Sequence, residues 1–127
     1  MEIKKKANNP AELISTLFFS RTQAHIFHLQ TSSFAKHKAL EDYYDSIVGL
    51  TDSLVEAYQG TNGILKGYTS ESRFGQLEVE VTPYFEKLLL YIEKTRSTIG
   101  EDSDLQNTVD EIVSLVKSTL YKLKNLK

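Results

Sequence analysis

All three histidines of this chain lie between residues 25 and 37. His25 and His28 are three apart, so on a helix they share one face, together with Arg21. His37 is followed at helical spacings by Glu41, Asp52 and Glu56. At about 100° per residue, Glu41 lies about 40° from His37, Asp52 about 60° and Glu56 about 100°. Imidazoles and carboxylates on one stripe form a donor set suited to iron, with zinc and manganese as competitors. His37 and Asp52 are about 22 Å apart along a single helix, too far for one ion. Two such helices packed antiparallel about a two-fold axis would bring His37 and Glu41 of one subunit to Asp52 and Glu56 of the other. His25 would reach the same place from the preceding helix, with His28 as a secondary ligand candidate. The plain alternatives are a solvated acidic helix face and hydrogen-bonded core histidines.

The elements that must position these groups follow from apolar spacing. Leu13, Ile14, Leu17, Phe18, Ala24 and Leu29 recur every three or four residues, which predicts a first helix over about 10–30, with Asn9 as N-cap and Pro10 in the first turn. Thr31, Ser32 and Ser33 interrupt the pattern and offer hydroxyl caps. Leu40, Tyr43, Tyr44, Ile47, Leu50, Leu54 and Tyr58 then predict a second helix over about 33–59, closed by Gly60. Residues 60–82 hold four of the six glycines, and the alternation over 77–81 favours a short extended segment. Thr82 and Pro83 read as the N-cap and first residue of a third helix that Gly100 closes. Asp102 or Ser103 caps a fourth, whose stripe runs from Leu105 to Leu123. The expected architecture is all-α: a four-helix bundle over 10–127, preceded by a mobile arm over 1–9, with one long crossover between the second and third helices.

Composition removes most other classes. The chain has 127 residues, enough for one domain, with 40% hydrophobic and 25% charged residues. It has no cysteine, which excludes disulfides, thiolate metal sites and cysteine nucleophiles. A formal charge of -2 argues against a strongly cationic nucleic-acid binder; Lys4, Lys5 and Lys6 offer at most a weak, salt-sensitive DNA contact or a solubilising tail. No apolar run is long enough for a membrane span and no signal core is present, so a soluble protein of the cytoplasm, without membrane partners, is expected. Phosphate-binding loops and serine triads have no signature here. The Glu-x-x-His motif of di-iron ferritins is missing, since Thr22, His25 and Phe34 stand three residues before the histidines.

The pattern His25-x11-His37-x3-Glu41-x10-Asp52-x3-Glu56 resembles the ferroxidase signature of the Dps proteins, or mini-ferritins. Glu41 stands where that family usually carries Asp, and Ile26 where it carries Trp. The resemblance implies a ferritin-like bundle, a homo-oligomer of at least a two-fold dimer, and Fe(II) binding and oxidation at the shared site. In that case His25, His37 and Glu41 come from one subunit and Asp52 and Glu56 from the other. The runs HLQTSSFAKHKALEDYYDSI and DSLVEAYQG, with the ending STLYKLKNLK, also resemble a family of small uncharacterised helical proteins of tailed bacteriophages. That likeness implies a phage source, and with it the host cytoplasm, and supplies no activity; a non-enzymatic structural or interaction role is the alternative to metal chemistry.

Overall fold

The computed structural model describes residues 9–69 and 80–127. The lysines at positions 4, 5 and 6, the rest of the N-terminal arm to residue 8, and residues 77–79 of the alternating stretch lie outside the described residues. Four α-helices are present, α1 (Ala11–Gln30), α2 (Phe34–Asn62), α3 (Val81–Thr95) and α4 (Ser103–Asn125), with a 3-10 turn over Arg96–Ile99. No strand occurs among the described residues.

Ser33 is the N-cap of α2 as expected, whereas α1 starts one residue later than expected: Pro10 holds its cap position and Asn9 stands just outside. Asn9 Oδ1 accepts from the Ala11 amide at 2.9 Å, and Ser33 Oγ accepts from Lys36 N at 3.2 Å, each satisfying a first-turn donor that has no helical partner. Thr31 Oγ1 accepts from Ser33 N at 3.1 Å, so the expected hydroxyl turn does cap α2.

Two expected boundaries move. Gly60 does not close α2; the helix runs to Asn62 and the Gly63 amide bonds to the Gln59 carbonyl at 3.0 Å. Gly63 takes φ 83°, a left-handed backbone open to glycine, whereas Gly60 accepts helical geometry at a cost of about 0.5–1 kcal/mol. Neither Thr82 as N-cap nor Pro83 as first residue is observed: α3 opens at Val81, with Glu80 at the cap position. Pro83 is tolerated within the first turn because the amide it lacks would have no helical acceptor there. Val81 is therefore helical rather than extended.

The order of the helices follows from which ends meet. α1 and α2 are antiparallel neighbours: His28 lies against His37 near the turn, and Ser20 against Tyr43 further along. Leu123 and Lys124 of α4 border one groove with Ser33 and Phe34, so α4 ends where α2 begins. Glu80 and Val81 border another with Phe27, Thr31 and Leu40, so α3 begins at that same end. It finishes near Tyr58 and Asn62, at the far end of α2. Hence α2 and α3 run parallel, and the segment joining them connects opposite ends of the bundle. α1 packs on α2 and α3, while α4 packs on α2 and α3.

The core is a single cluster drawn from all four helices, including Leu13, Ile14, Leu17, Tyr43, Ile47, Phe85, Leu88 and Ile112. Each such side chain contributes about 1.5–3 kcal/mol by leaving water. α1 buries most of its circumference over its first seven residues, where Ala11, Leu13, Ile14, Ser15, Thr16 and Leu17 are all covered. The start of the crossover lies against this part of α1. Ser15 Oγ accepts from the Thr69 amide at 3.0 Å, Leu65 is buried, and Gly67, at φ 97°, comes close enough to Asn9 that a side chain there would press on its amide.

Candidate functional site

α1 and α2 meet in a seam of aromatic rings next to the turn that joins them. Because the turn is only Thr31–Ser33, residues at its two sides face each other level by level. His28 Nδ1 donates to the His37 carbonyl at 2.8 Å, and His37 Nδ1 donates to the His28 carbonyl at 2.9 Å. A carbonyl only accepts, so both rings carry a proton on Nδ1, and the neutral form of each has its lone pair on Nε2. The two rings are stacked, with centroids 3.6 Å apart and planes 21° apart.

His25 completes the cluster. Its ring stacks on Tyr44 at 4.3 Å and meets His28 edge-on at 5.8 Å, while Tyr44 is edge-on to His28 at 5.2 Å. His28 is the buried member at 7% exposed; His25, His37 and Tyr44 are half-buried. Desolvation raises the Tyr44 hydroxyl above the ordinary tyrosine value, helped by the Glu41 and Asp45 carboxylates and opposed by Arg21 and Lys38. Those four charges therefore lie around the seam. Of His25 and His28, read from the sequence as metal ligands or as hydrogen-bonded core histidines, His28 is both buried and hydrogen-bonded, whereas His25 is half-buried and stacks on Tyr44.

The carboxylates of the expected site do not join this cluster within one chain. Glu41 pairs loosely with Lys38 at 3.8 Å, and Asp52 and Glu56 are exposed further along α2. Among the described residues, no three His, Asp or Glu side chains converge so as to hold a metal ion. Of the ligands expected from one subunit, His25 and His37 lie in the ring seam, whereas Glu41 is paired with Lys38; Asp52 and Glu56 are exposed.

Tyr44 is the seam residue that sequence periodicity placed first in the core. Its position seven residues after His37, two helical turns, was the available signal. The exposed apolar surfaces were less legible. Phe34 directly follows the cap of α2 and belongs to no stripe, and it is the most exposed of the described aromatic residues. On α2, Tyr44, Val48 and Val55 pack only partly on the core; on α1, Phe18, two turns before His25, is 36% exposed.

No helix among the described residues is long and apolar enough to cross a membrane. No solved structure matches the chain. An uncharacterised 14.6 kDa protein from the mobD-ri intergenic region of Enterobacteria phage T4 is 25% identical over 120 residues, covering 93% of this chain and 90% of that protein. The model of a family of unknown function, DUF5856, matches residues 28–123. That span begins at His28 and takes in His37, Glu41, Asp52 and Glu56, all of α2 and α3 and most of α4. The chain belongs to this family, DUF5856.

Proposed function

We propose that this chain is a non-enzymatic helical-bundle protein of a tailed phage that works by association, pairing two-fold with a second copy along the outer face of α2. The observation that carries the reading is the Tyr44, Val48 and Val55 stripe of α2, part-buried on its own core. The charges on α2 suit an antiparallel partner. Lys38 lies near its start, and Asp52 and Glu56 in its second half, so a two-fold axis near the midpoint lays opposite charges over each other. The similarity to a phage T4 protein supports the phage setting. Native mass spectrometry tests the pairing. A dimer that Val48→Glu converts to monomer supports it; a monomer at all micromolar concentrations overturns it.

A mini-ferritin-like function on a ferritin-like fold is the second reading, and two observations favour it. The helix order, with one long connection between parallel helices, suits a ferritin-like bundle. The Nδ1–H groups of His28 and His37 are anchored on carbonyls, which is how ligating imidazoles are usually held, with Nε2 free to bind. The donor set fits iron only when a partner completes it: His25, His37 and Glu41 from one subunit with Asp52 and Glu56 from the other, His28 alongside, and zinc or manganese as competitors. The same native spectra recorded with anaerobic Fe(II) separate the readings. Two ions bound per dimer, lost in His37→Ala, support a shared site; a dimer that takes up none leaves association alone.

A further inference from the structure

A second surface lies at the end of the bundle, where α2 begins and α4 finishes. Phe34 is 77% exposed and Leu126 is 44% exposed. They border a groove of about 490 Å³ that Leu123, itself buried, helps to line. The remaining wall includes Lys36, Lys124 and Lys127, and no carboxylate side chain lines it. In a chain of net charge -2, this is a local concentration of positive charge. Lys124 reaches Glu86 at 2.9 Å, whereas Lys36 and Lys127 make no ion pair among the described residues.

We infer that this groove docks an acidic peptide segment of a partner protein, with one large apolar side chain seated between Phe34 and Leu126 and flanking carboxylates on Lys36 and Lys127. An apolar floor rimmed by one sign of charge selects a ligand with the complementary pattern, and burying the anchor supplies affinity while the rim supplies orientation and association rate. A second copy of this chain is the poorer occupant. Pairing the same ends would set lysines against lysines, and the acidic stretch of α2 is locked in a helix with its carboxylates facing outward. A flat anionic bilayer also fits less well, because Leu123 is recessed behind the two exposed residues.

This inference goes beyond the α2 pairing and uses a different surface, so the two fail separately. The test is fluorescence anisotropy of a dye-labelled peptide, Glu-Asp-Leu-Phe-Asp-Glu, titrated with the full chain. Saturable binding is expected, weakened about tenfold by Phe34→Ser and again by Lys36→Glu with Lys127→Glu, and weakened by salt. Leu90→Ser, an exposed apolar change on α3, should leave binding unchanged. Phe34 is largely exposed, so its variant should fold; circular dichroism checks this. The inference is overturned by absence of saturable binding, by equal affinity in the Phe34 and lysine variants, or by phosphatidylglycerol vesicles displacing the peptide. Phe34-dependent dimerisation without peptide binding would overturn it as well.

Discussion

Ser20 Oγ lies 2.7 Å from Tyr43 Oη in the centre of the bundle, and both residues are fully buried. Ser20 also donates to the Leu17 carbonyl at 2.6 Å, so its proton is committed and Tyr43 must be the donor between them. The direction of that bond makes the two partners unequal. Ser20→Ala leaves the Tyr43 hydroxyl buried without an acceptor and should cost about 1–3 kcal/mol. Tyr43→Phe leaves Ser20 still bonded to Leu17 and should cost less, about 0.5–1.5 kcal/mol. Urea unfolding of both variants gives the comparison; the reverse ranking would contradict the assigned donor.

Tyr43 and Tyr84 give the fold an alkaline limit. Burial raises both hydroxyls above the ordinary tyrosine value of 10.0, since the ionised form is poorly solvated inside the bundle. The unfolded chain loses these protons first. Stability from the two groups is therefore complete below pH 10 and declines as pH rises past it, by up to about 1.4 kcal/mol per pH unit for each tyrosine. Denaturation midpoints measured against pH, with tyrosinate absorbance as the second signal, should show the decline, and Tyr43→Phe should make it shallower.

The His28–His37 exchange should show as coupling. His28→Phe keeps a ring against His37 but removes the Nδ1 donor, and should cost about 1 kcal/mol. His28→Ala also removes the packing of a buried ring and should cost about 2–3 kcal/mol. A double-mutant cycle with His37→Ala is expected to give a coupling energy of about 0.5–3 kcal/mol. Additive effects would mean that the stacked pair contributes nothing as a pair.

At the opposite end, Arg96 and Gln106 tie α3 to α4. Gln106 Oε1 accepts from Arg96 Nε at 2.8 Å, while its Nε2 donates to the carbonyls of Arg96 and Gly100 at 3.0 and 2.7 Å. Arg96 also reaches Asp110 at 2.6 Å, and hydrogen bonding to that carboxylate is the main cause of the guanidinium's raised pKa. Asp110 is well exposed, so its ion pair is weak in water. Gln106→Ala should therefore destabilise by about 1–2 kcal/mol and Asp110→Asn by less than about 1 kcal/mol. Arg96→Lys should not restore the wild-type value, because an ammonium cannot make the forked contacts. Thermal unfolding of the three variants checks the order.

Gly49 lies in the middle of α2, exposed, with nothing within 4 Å of where a Cβ would stand. Gly49→Ala should stabilise the chain by about 0.5–1 kcal/mol, because the unfolded backbone loses freedom and no contact is strained. A raised melting temperature would confirm it; a fall would show that this face of α2 is already covered by another molecule.

The helices and much of their capping are legible from residue order alone. Apolar residues at three- and four-residue spacing require a helix, and Asn9 and Ser33 are placed to accept first-turn amides whatever surrounds them. A three-residue turn also made the meeting of His28 and His37 foreseeable, since two antiparallel helices joined so closely must face each other residue by residue. Boundaries were less legible at Gly60 and Pro83. Both residues are tolerated one turn inside or near a helix end, and local chemistry does not separate tolerance from termination.

Which helices are neighbours, and where each ring points, follow from the packing of the whole bundle. Periodicity says that a stripe must be buried, but not against which partner. The choice of α1 and α4 as the flanks of α2 came from packing four stripes into one core. That packing turned both Nδ1 atoms of the histidine pair onto main-chain carbonyls and left Asp52 and Glu56 facing outward. It also brought the end of α4 beside Phe34, so that lysines more than eighty residues apart in the chain share one groove.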